Sequence, residues 1–218
     1  MDKDAKFWND NNNVEYFKSK AADPIIVKYL DNIAGDSSEM NALDLGCGGG
    51  RHTELLCRKG WNTFSVDINL AMLQATTERV AQLCLKKMPQ VSTGEITAIP
   101  FEDSFFDLVV TTGVLHQARS QKEYRQALSE LSRVCKKDAV ILLNIFTNSD
   151  TDPTYTFLDE AKTVVQTKEG LLMTLLAKEL FYEMMSDAGI YLEEEYIEEL
   201  KQENTGPRTV LRARFKKE

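Results

Sequence analysis

Apolar residues in this chain follow two rhythms, short unbroken runs and longer stretches that repeat every three to four positions. Ala42 to Leu45 is a short apolar run that stops at Gly46, passes through a loop of glycines and restarts at Arg51 with the helical spacing of Leu55 and Leu56. It predicts a strand, a glycine turn and a helix. Trp61 to Asp67 predicts a second strand ending in an acid. Asn69 caps a predicted helix that runs through Met72, Thr76, Val80 and Leu83 toward Lys87 and ends at Pro89. Ser120 and Glu123 make a capping box, after which Tyr124, Leu128, Leu131 and Cys135 mark one buried face. Upstream, Asp23 and Pro24 read as cap and first-turn proline of a helix whose apolar face is Ile26, Tyr29, Leu30 and Ile33. From Thr174 the spacing of Leu175, Leu176, Leu180, Phe181, Met184 and Met185 predicts a helix ending at Asp187-Ala188-Gly189. Tyr191 to Leu200 and Thr209 to Phe215 are the last strand candidates. Alternation of this kind gives a parallel sheet covered on both faces, with ligands beyond the carboxyl ends of its strands.

The glycine loop is built to hold something, because glycine reaches backbone angles barred to other residues and lets a ligand lie on the main chain. Spacing separates the ligand classes. A dinucleotide fingerprint wants a small residue at its third position, and here that position is Arg51. The Gly-Lys-Ser/Thr of a phosphate loop is absent too.

What remains is Asp44, Gly46, Gly48 and Gly50 in the pattern D-x-G-x-G-x-G, which resembles the first motif of the class I S-adenosylmethionine-dependent methyltransferases. Further segments match in the family's order. Asp67 falls about 20 residues past the glycines, where a carboxylate can accept from both ribose hydroxyls. Gly94 to Phe101 resembles the family's adenine-reading G-D-A-x-x-L-P-F segment, with Glu95 in place of Asp. Phe106 to His116 resembles the fourth-strand motif, and Glu130 to Val134 the helix before the fifth strand. After Val134 the family usually has Leu-Lys-Pro-Gly-Gly, and this chain has Cys135-Lys136-Lys137-Asp138-Ala139, a departure in a turn away from the cofactor.

The resemblance implies an α/β, doubly wound, mostly parallel seven-stranded sheet with an antiparallel last strand and helices on both faces. It implies S-adenosyl-L-methionine as cofactor, bound by Gly46, Gly48 and Gly49 through the backbone, by Asp67 at the ribose, by Glu95 and Ile96 at the adenine, and by Thr111 at the methionine end, with Ile68 a further binding residue next to Asp67. Transfer of a methyl group needs a general base only if the acceptor holds a proton tightly. His116, at the mouth of the fourth strand, is the one well-placed candidate, with loop ordering or substrate orientation as its other roles. His52, in the first turn after the glycine loop, reads as packing or an amide contact.

With 218 residues, 43% hydrophobic and 28% charged, the chain suits one soluble domain, 1–218, divided into an N-terminal helical segment 1–40, a cofactor-binding core 41–146, a candidate substrate cap 147–173, and a C-terminal helix with last strands 174–218. No segment approaches the ~20 apolar residues of a membrane span, and the first residues lack a signal-peptide layout, so the expected home is cytoplasmic. Cys47, Cys57, Cys84 and Cys135 form no C-x-x-C, and with two histidines no metal-ligand spacing arises. They read as reduced packing residues.

A formal charge of -8 argues against a nucleic-acid partner, since phosphate contacts normally need a basic stripe. Arg208, Arg212, Arg214, Lys216 and Lys217 do cluster, but alternation with Leu211, Ala213 and Phe215 makes them the wet face of an edge strand. The run Glu193, Glu194, Glu195, Glu198 and Glu199 reads as a solvated face. Phe7, Trp8, Tyr16 and Phe17 either staple the amino-terminal segment to the body or offer a ring that closes over the sulfonium or substrate. Residues 147–173 are either a cap on the substrate site or a surface excursion with one short helix around Leu158 to Val165. The leading expectation is methyl transfer to a small-molecule acceptor. The alternatives are a tRNA or protein methyltransferase, and a non-catalytic subunit that binds S-adenosylmethionine. Oligomeric state is not legible.

Overall fold

In the computed structural model, which describes residues 3–33, 37–83, 85, 87–149, 151–200 and 207–218, local signals set most element boundaries. Two short helices open the chain, α1 (Lys3–Trp8) and α2 (Asn11–Ser19), the second capped by Asp10. Then α3 (Pro24–Asp31) begins where expected, the Asp23 carboxylate accepting from the Ile25 amide with proline in the first turn. Strand β1 (Asn41–Leu45) leads through the glycine loop into α4 (Arg51–Arg58), and β2 (Asn62–Asp67) into α5 (Leu70–Ala81), capped by Asn69. They are followed by β3 (Gln90–Thr93), β4 (Phe106–Thr112), α6 (Gln121–Val134) with its Ser120 cap, and β5 (Cys135–Thr147). Next come three short strands, β6 (Thr156–Phe157), β7 (Val164–Gln166) and β8 (Leu172–Thr174), then α7 (Lys178–Asp187), β9 (Ile190–Leu200) and β10 (Arg208–Lys217).

The main sheet has seven strands in the order β3-β2-β1-β4-β5-β10-β9. Every pair from β3 to β5 is parallel, and β10 runs antiparallel to both neighbours. Alternating side chains divide the core between the two faces. Leu43, Leu45, Val109, Ile141 and Leu143 pack against Tyr124, Leu128 and Leu131 of α6 and Phe181, Met184 and Met185 of α7. Ala42, Leu108, Val110 and Leu142 pack against Ile26, Tyr29 and Leu30 of α3 and Leu56 of α4. The doubly wound expectation therefore holds, including the single antiparallel strand.

Several local expectations are corrected. Residues 158–165 contain no helix; β6, β7 and β8 form a separate antiparallel three-stranded sheet whose Val165 and Met173 pack with Leu175, Phe146 and Tyr155. The helix expected from Thr174 starts at Lys178, because Leu176 is held by a bridge to Thr147. The turn expected at Cys135 to Ala139 lies inside β5: Cys135 pairs with Phe106 and Val140 with Leu108, so 136–139 bulge out opposite Asp107, with Asp138 at a positive φ of 66°. The strand Thr209 to Phe215 is not an edge but lies between β5 and β9, with Val210, Leu211, Ala213 and Phe215 buried. The α5 helix stops at Ala81, short of Leu83, and Cys84 lies outside the described residues. Among the described residues no helix is long and apolar enough to cross a membrane.

Candidate active site

Strands β2, β1 and β4 are neighbours and parallel, so their carboxyl ends bring Asp67, the glycine loop and Thr112 to one rim. The loop is fixed from beneath. Amides of Gly46 and Cys47 both donate to the Val66 carbonyl, at 2.7 and 2.9 Å. Asp44 is buried, and Thr53 of α4 donates to its Oδ2 at 2.6 Å, with Ser65 against the same hydroxyl at 2.9 Å. Burial pushes the Asp44 carboxyl up to about 6, against the hydrogen bond from Thr53 and the nearby Arg51 charge.

The four loop glycines face different surroundings. A Cβ on Gly46 would meet Val114 Cγ2 at 2.2 Å, and one on Gly50 would meet the Thr76 backbone at 3.0 Å. A Cβ on Gly49 would lie 2.5 Å from the Lys18 nitrogen and the Phe17 carbonyl carbon. The bare side of Gly49 is thus filled by the end of α2. Only Gly48, at φ +52°, faces open space, as does Gly113 at the end of β4, at φ +77°.

Asp67 stands beside Gly48. Its Oδ2 accepts from the Gly48 amide and its Oδ1 from the Asn69 amide, each at 2.9 Å. Burial raises its pKa, and the amides of Asn69 and Gly48 oppose that shift. A carboxylate has about four lone-pair sites, so two bonds leave acceptor capacity for hydroxyls. Ile68 is 66% exposed, an apolar face beside that carboxylate. The Gly94 amide donates to the Asp67 carbonyl at 3.2 Å, which brings Glu95 and Ile96 beside the same rim; Glu95 is exposed and Ile96 half-buried.

Two expected residues sit elsewhere. Thr111 shares the face of Val109, is fully buried, and its hydroxyl has no hydrogen-bond partner. Its neighbour Thr112 instead reaches the glycine-loop side. His116 is 1% exposed, stacks on Phe146 at 4.2 Å between centroids, and accepts the Phe146 amide at Nδ1. Burial first, then the Arg208 charge, hold its pKa down at about 3. The geometry makes it a neutral, enclosed ring that anchors the end of β5.

A polar corner that no motif marks lies on the other side of the loop, formed by Arg51, His52, Thr112 and Asp23. In the sequence Arg51 stands out only as a misfit for pyrophosphate. Strand phase carried the missing signal: the alternation that places Leu108 and Val110 on the α3 and α4 side puts Thr112, not Thr111, there too. Among the described residues no group of three or more His, Cys, Asp or Glu could hold a metal ion.

A seven-stranded doubly wound sheet with an open glycine at its switch point, a carboxylate after the second strand and an exposed aliphatic beside it defines the class I architecture of S-adenosylmethionine-dependent methyltransferases. The residues fit that cofactor: the space a Cβ would take at Gly48 and Gly113 is vacant, and Asp67 keeps lone pairs to spare. Residues 43–143 match the family described as a methyltransferase domain. An S-adenosylmethionine-dependent methyltransferase from Methanosarcina mazei superposes with a TM-score of 0.71 at 18% identity, covering 91% of this chain and 99% of that one. The PH0226 protein of Pyrococcus horikoshii gives 0.70 at 17%, covering 97% and 93%. The ubiquinone biosynthesis O-methyltransferase of Acinetobacter baylyi is 30% identical over 90 residues, 39% of this chain and 37% of its own length. The tRNA (carboxymethyluridine(34)-5-O)-methyltransferase of Arabidopsis thaliana is 22% identical over 129 residues, 59% and 29%. The chain thus spans about half or less of the curated relatives it matches. Residues 43–143 thus carry the sequence match to a methyltransferase domain, and the chain as a whole has the class I methyltransferase fold.

Proposed function

We propose that the chain transfers a methyl group from S-adenosylmethionine to a small-molecule acceptor. The cofactor supplies a methyl on a sulfonium, whose departure leaves a neutral thioether. The chain's residues mainly bind and align. Gly48, with its open side, brings backbone to the cofactor, and Gly46 and Gly49 shape the loop around it; Asp67 accepts from the ribose, Ile68 covers the adenine face, and Glu95 with Ile96 reads its edge. Thr112 takes the methionine-end role first given to Thr111. No proton transfer is assigned to His116, whose ring is enclosed and whose Nδ1 is occupied.

The observation that carries the acceptor class is the fate of the basic run in β10. Arg212 pairs with Asp23 at 2.7 Å and Glu198 at 2.9 Å, Arg214 with Glu193 at 2.7 Å, and Lys216 with Asp138 at 2.8 Å. Cations already matched within the chain give little to a phosphate backbone, which is bound when unmatched cations displace its condensed counterions into solution. The small sheet β6-β7-β8 also packs at the end of β5, where a bounded pocket would need a wall. The tRNA reading has one observation in its favour, the alignment with the Arabidopsis tRNA enzyme over 59% of this chain.

The test supplies methyl-labelled S-adenosylmethionine with a metabolite extract in one arm and bulk tRNA in the other. Label entering a small molecule supports the proposal. Label entering tRNA alone replaces it, and label entering neither, with the cofactor still bound, favours a binding subunit.

A further inference from the structure

Thr112 closes β4, and its hydroxyl is held from two sides. His52 Nδ1 lies 3.2 Å from Oγ1 and Arg51 Nη2 3.4 Å from it. What the other ring nitrogen does fixes the direction of the first bond. The Asp23 amide donates to His52 Nε2 at 3.2 Å. A ring nitrogen that accepts carries no proton, so the neutral imidazole has its proton on Nδ1 and donates it to Thr112. Burial keeps the ring neutral: it is 2% exposed, and burial together with the Arg51 charge holds it down at about 3. A guanidinium can only donate. Both lone pairs of Thr112 Oγ1 are therefore engaged, and its own proton must go to a third group. Among the described residues none of the hydrogen bonds supplies an acceptor for it.

The corner is open and cationic. Thr112 is half-buried beside Gly113, whose missing side chain leaves empty space. Arg51 is half-buried, and its hydrogen bonds are long ones, at 3.5 Å to the Ala21 carbonyl and 3.4 Å to Thr112. Its charge has the Asp23 and Asp44 carboxylates nearby, with Arg212 and Arg79 opposing them. A directed hydroxyl donor beside a guanidinium fits an anionic oxygen. Since β2 and β4 flank β1, Thr112 and Asp67 stand roughly 10 Å apart, two strand spacings. A ligand anchored by its ribose at Asp67 and carrying a carboxylate at its far end can span that distance.

We infer that His52 is a positioning residue: it locks the Thr112 hydroxyl as a one-way donor, and Thr112 with Arg51 receives the amino-acid carboxylate of the cofactor. This rests on the methyltransferase reading above. A hydroxyl free to rotate would be as ready to accept as to donate. His52 removes that freedom, so the corner discriminates for the carboxylate and against a neutral end group.

The test has a spectroscopic arm and a binding arm. Nitrogen-15 NMR of the unaltered chain should show the His52 ring neutral and protonated at Nδ1. Calorimetry then compares S-adenosylhomocysteine with 5′-methylthioadenosine, which keeps the nucleoside and thioether but lacks the carboxylate. Thr112→Val and His52→Leu should each weaken S-adenosylhomocysteine by about tenfold, the scale of one lost hydrogen bond to a charged group, and leave 5′-methylthioadenosine unchanged. His52→Asn, whose Nδ2 stands where Nδ1 does, should recover most of the loss. A ring protonated at Nε2, or equal losses for both ligands, overturns the inference while the methyltransferase reading stands. An unaltered chain that binds no S-adenosylhomocysteine overturns both.

Discussion

Gly49→Ala separates a loop glycine that serves the cofactor from one that serves the fold. The φ of Gly49 is not positive, so alanine can adopt it, and the unfolded chain loses freedom worth about 0.4 to 1 kcal/mol in favour of folding. Against that, the added methyl would stand 2.5 Å from the Lys18 nitrogen and the Phe17 carbonyl carbon. Those atoms are backbone and cannot swing aside, so α2 must lift. Overpacking of this kind costs about 1 to 3 kcal/mol. The docked segment is otherwise held by Arg79, which donates to the carbonyls of Lys18 at 2.9 Å and Lys20 at 3.0 Å and pairs with Glu54 at 2.6 Å. The entropy gain acts on the unfolded chain and leaves undocking untouched, so the cost of about 1 to 3 kcal/mol raises the undocked population by roughly 5- to 160-fold. Amide hydrogen exchange should show lower protection across 11–20, with β1, β4 and β5 unchanged. If protection in 11–20 is unaltered, or falls together with that of the central strands, the docking argument is refuted.

Asp67→Ala should weaken S-adenosylhomocysteine about ten- to a hundredfold, the loss of charge-assisted bonds worth about 1.5 to 3 kcal/mol, with the fold intact by circular dichroism; unchanged affinity removes Asp67 from the site. Asp44→Asn tests the buried carboxyl at about 6 against its ordinary 3.8. The folded state binds that proton more tightly, so its contribution is favourable below pH 3.8 and is lost as pH rises to about 6. At about 1.4 kcal/mol per unit the span is about 3 kcal/mol, and the variant should gain by that order on the native chain between about pH 4 and 7.5 in urea unfolding; parallel curves refute it. If 4–20 and 147–173 cover the site, S-adenosylhomocysteine should raise exchange protection in both as well as at the glycine loop, and a gain confined to the loop, Asp67 and Glu95 ends that proposal.

The fold was legible because its signals are local and repeated. Caps at Asp23, Asn69 and Ser120 coincide with helix starts, and an apolar run such as Leu108 to Val110 has one reading in a covered parallel sheet. Strand β3 was not legible: Gln90 to Thr93 is polar and mostly exposed, held in place by pairing with β2. Nor was the position of β10, since one alternating pattern serves an edge strand and a strand between two neighbours alike. Its salt bridges explain the disguise. The arginines that looked wet are matched by acids of β9 and by Asp23, so charge and burial coexist. At the site, the motif residues Gly48 and Asp67 could be read, whereas the Arg51, His52 and Thr112 corner depends on contacts between residues about 60 positions apart.

Asp23 divides the amino-terminal segment into a part the body needs and a part it does not. Its carboxylate caps α3 at Ile25, pairs with Arg212 and reaches Asn144 at 3.4 Å, while its amide holds His52. Burial alone would raise its pKa, but the bond and charge of Arg212 carry it below the ordinary value. Following it, α3 buries Ile26, Tyr29 and Leu30. Preceding it, α2 buries no residue, and its ion pair Lys18 to Glu78 lies at the surface. Removing residues 1–20 should therefore leave a folded body with a melting temperature close to that of the full chain, while exposing the outer side of Gly49 and weakening S-adenosylhomocysteine. Removing residues 1–23 takes Asp23 away from a mostly buried Arg212, and breaking a buried pair from one side costs about 3 to 5 kcal/mol. Thermal unfolding of the two truncations decides the matter. Equal destabilisation would mean that the boundary does not lie at Asp23, and that α2 is part of the folded core.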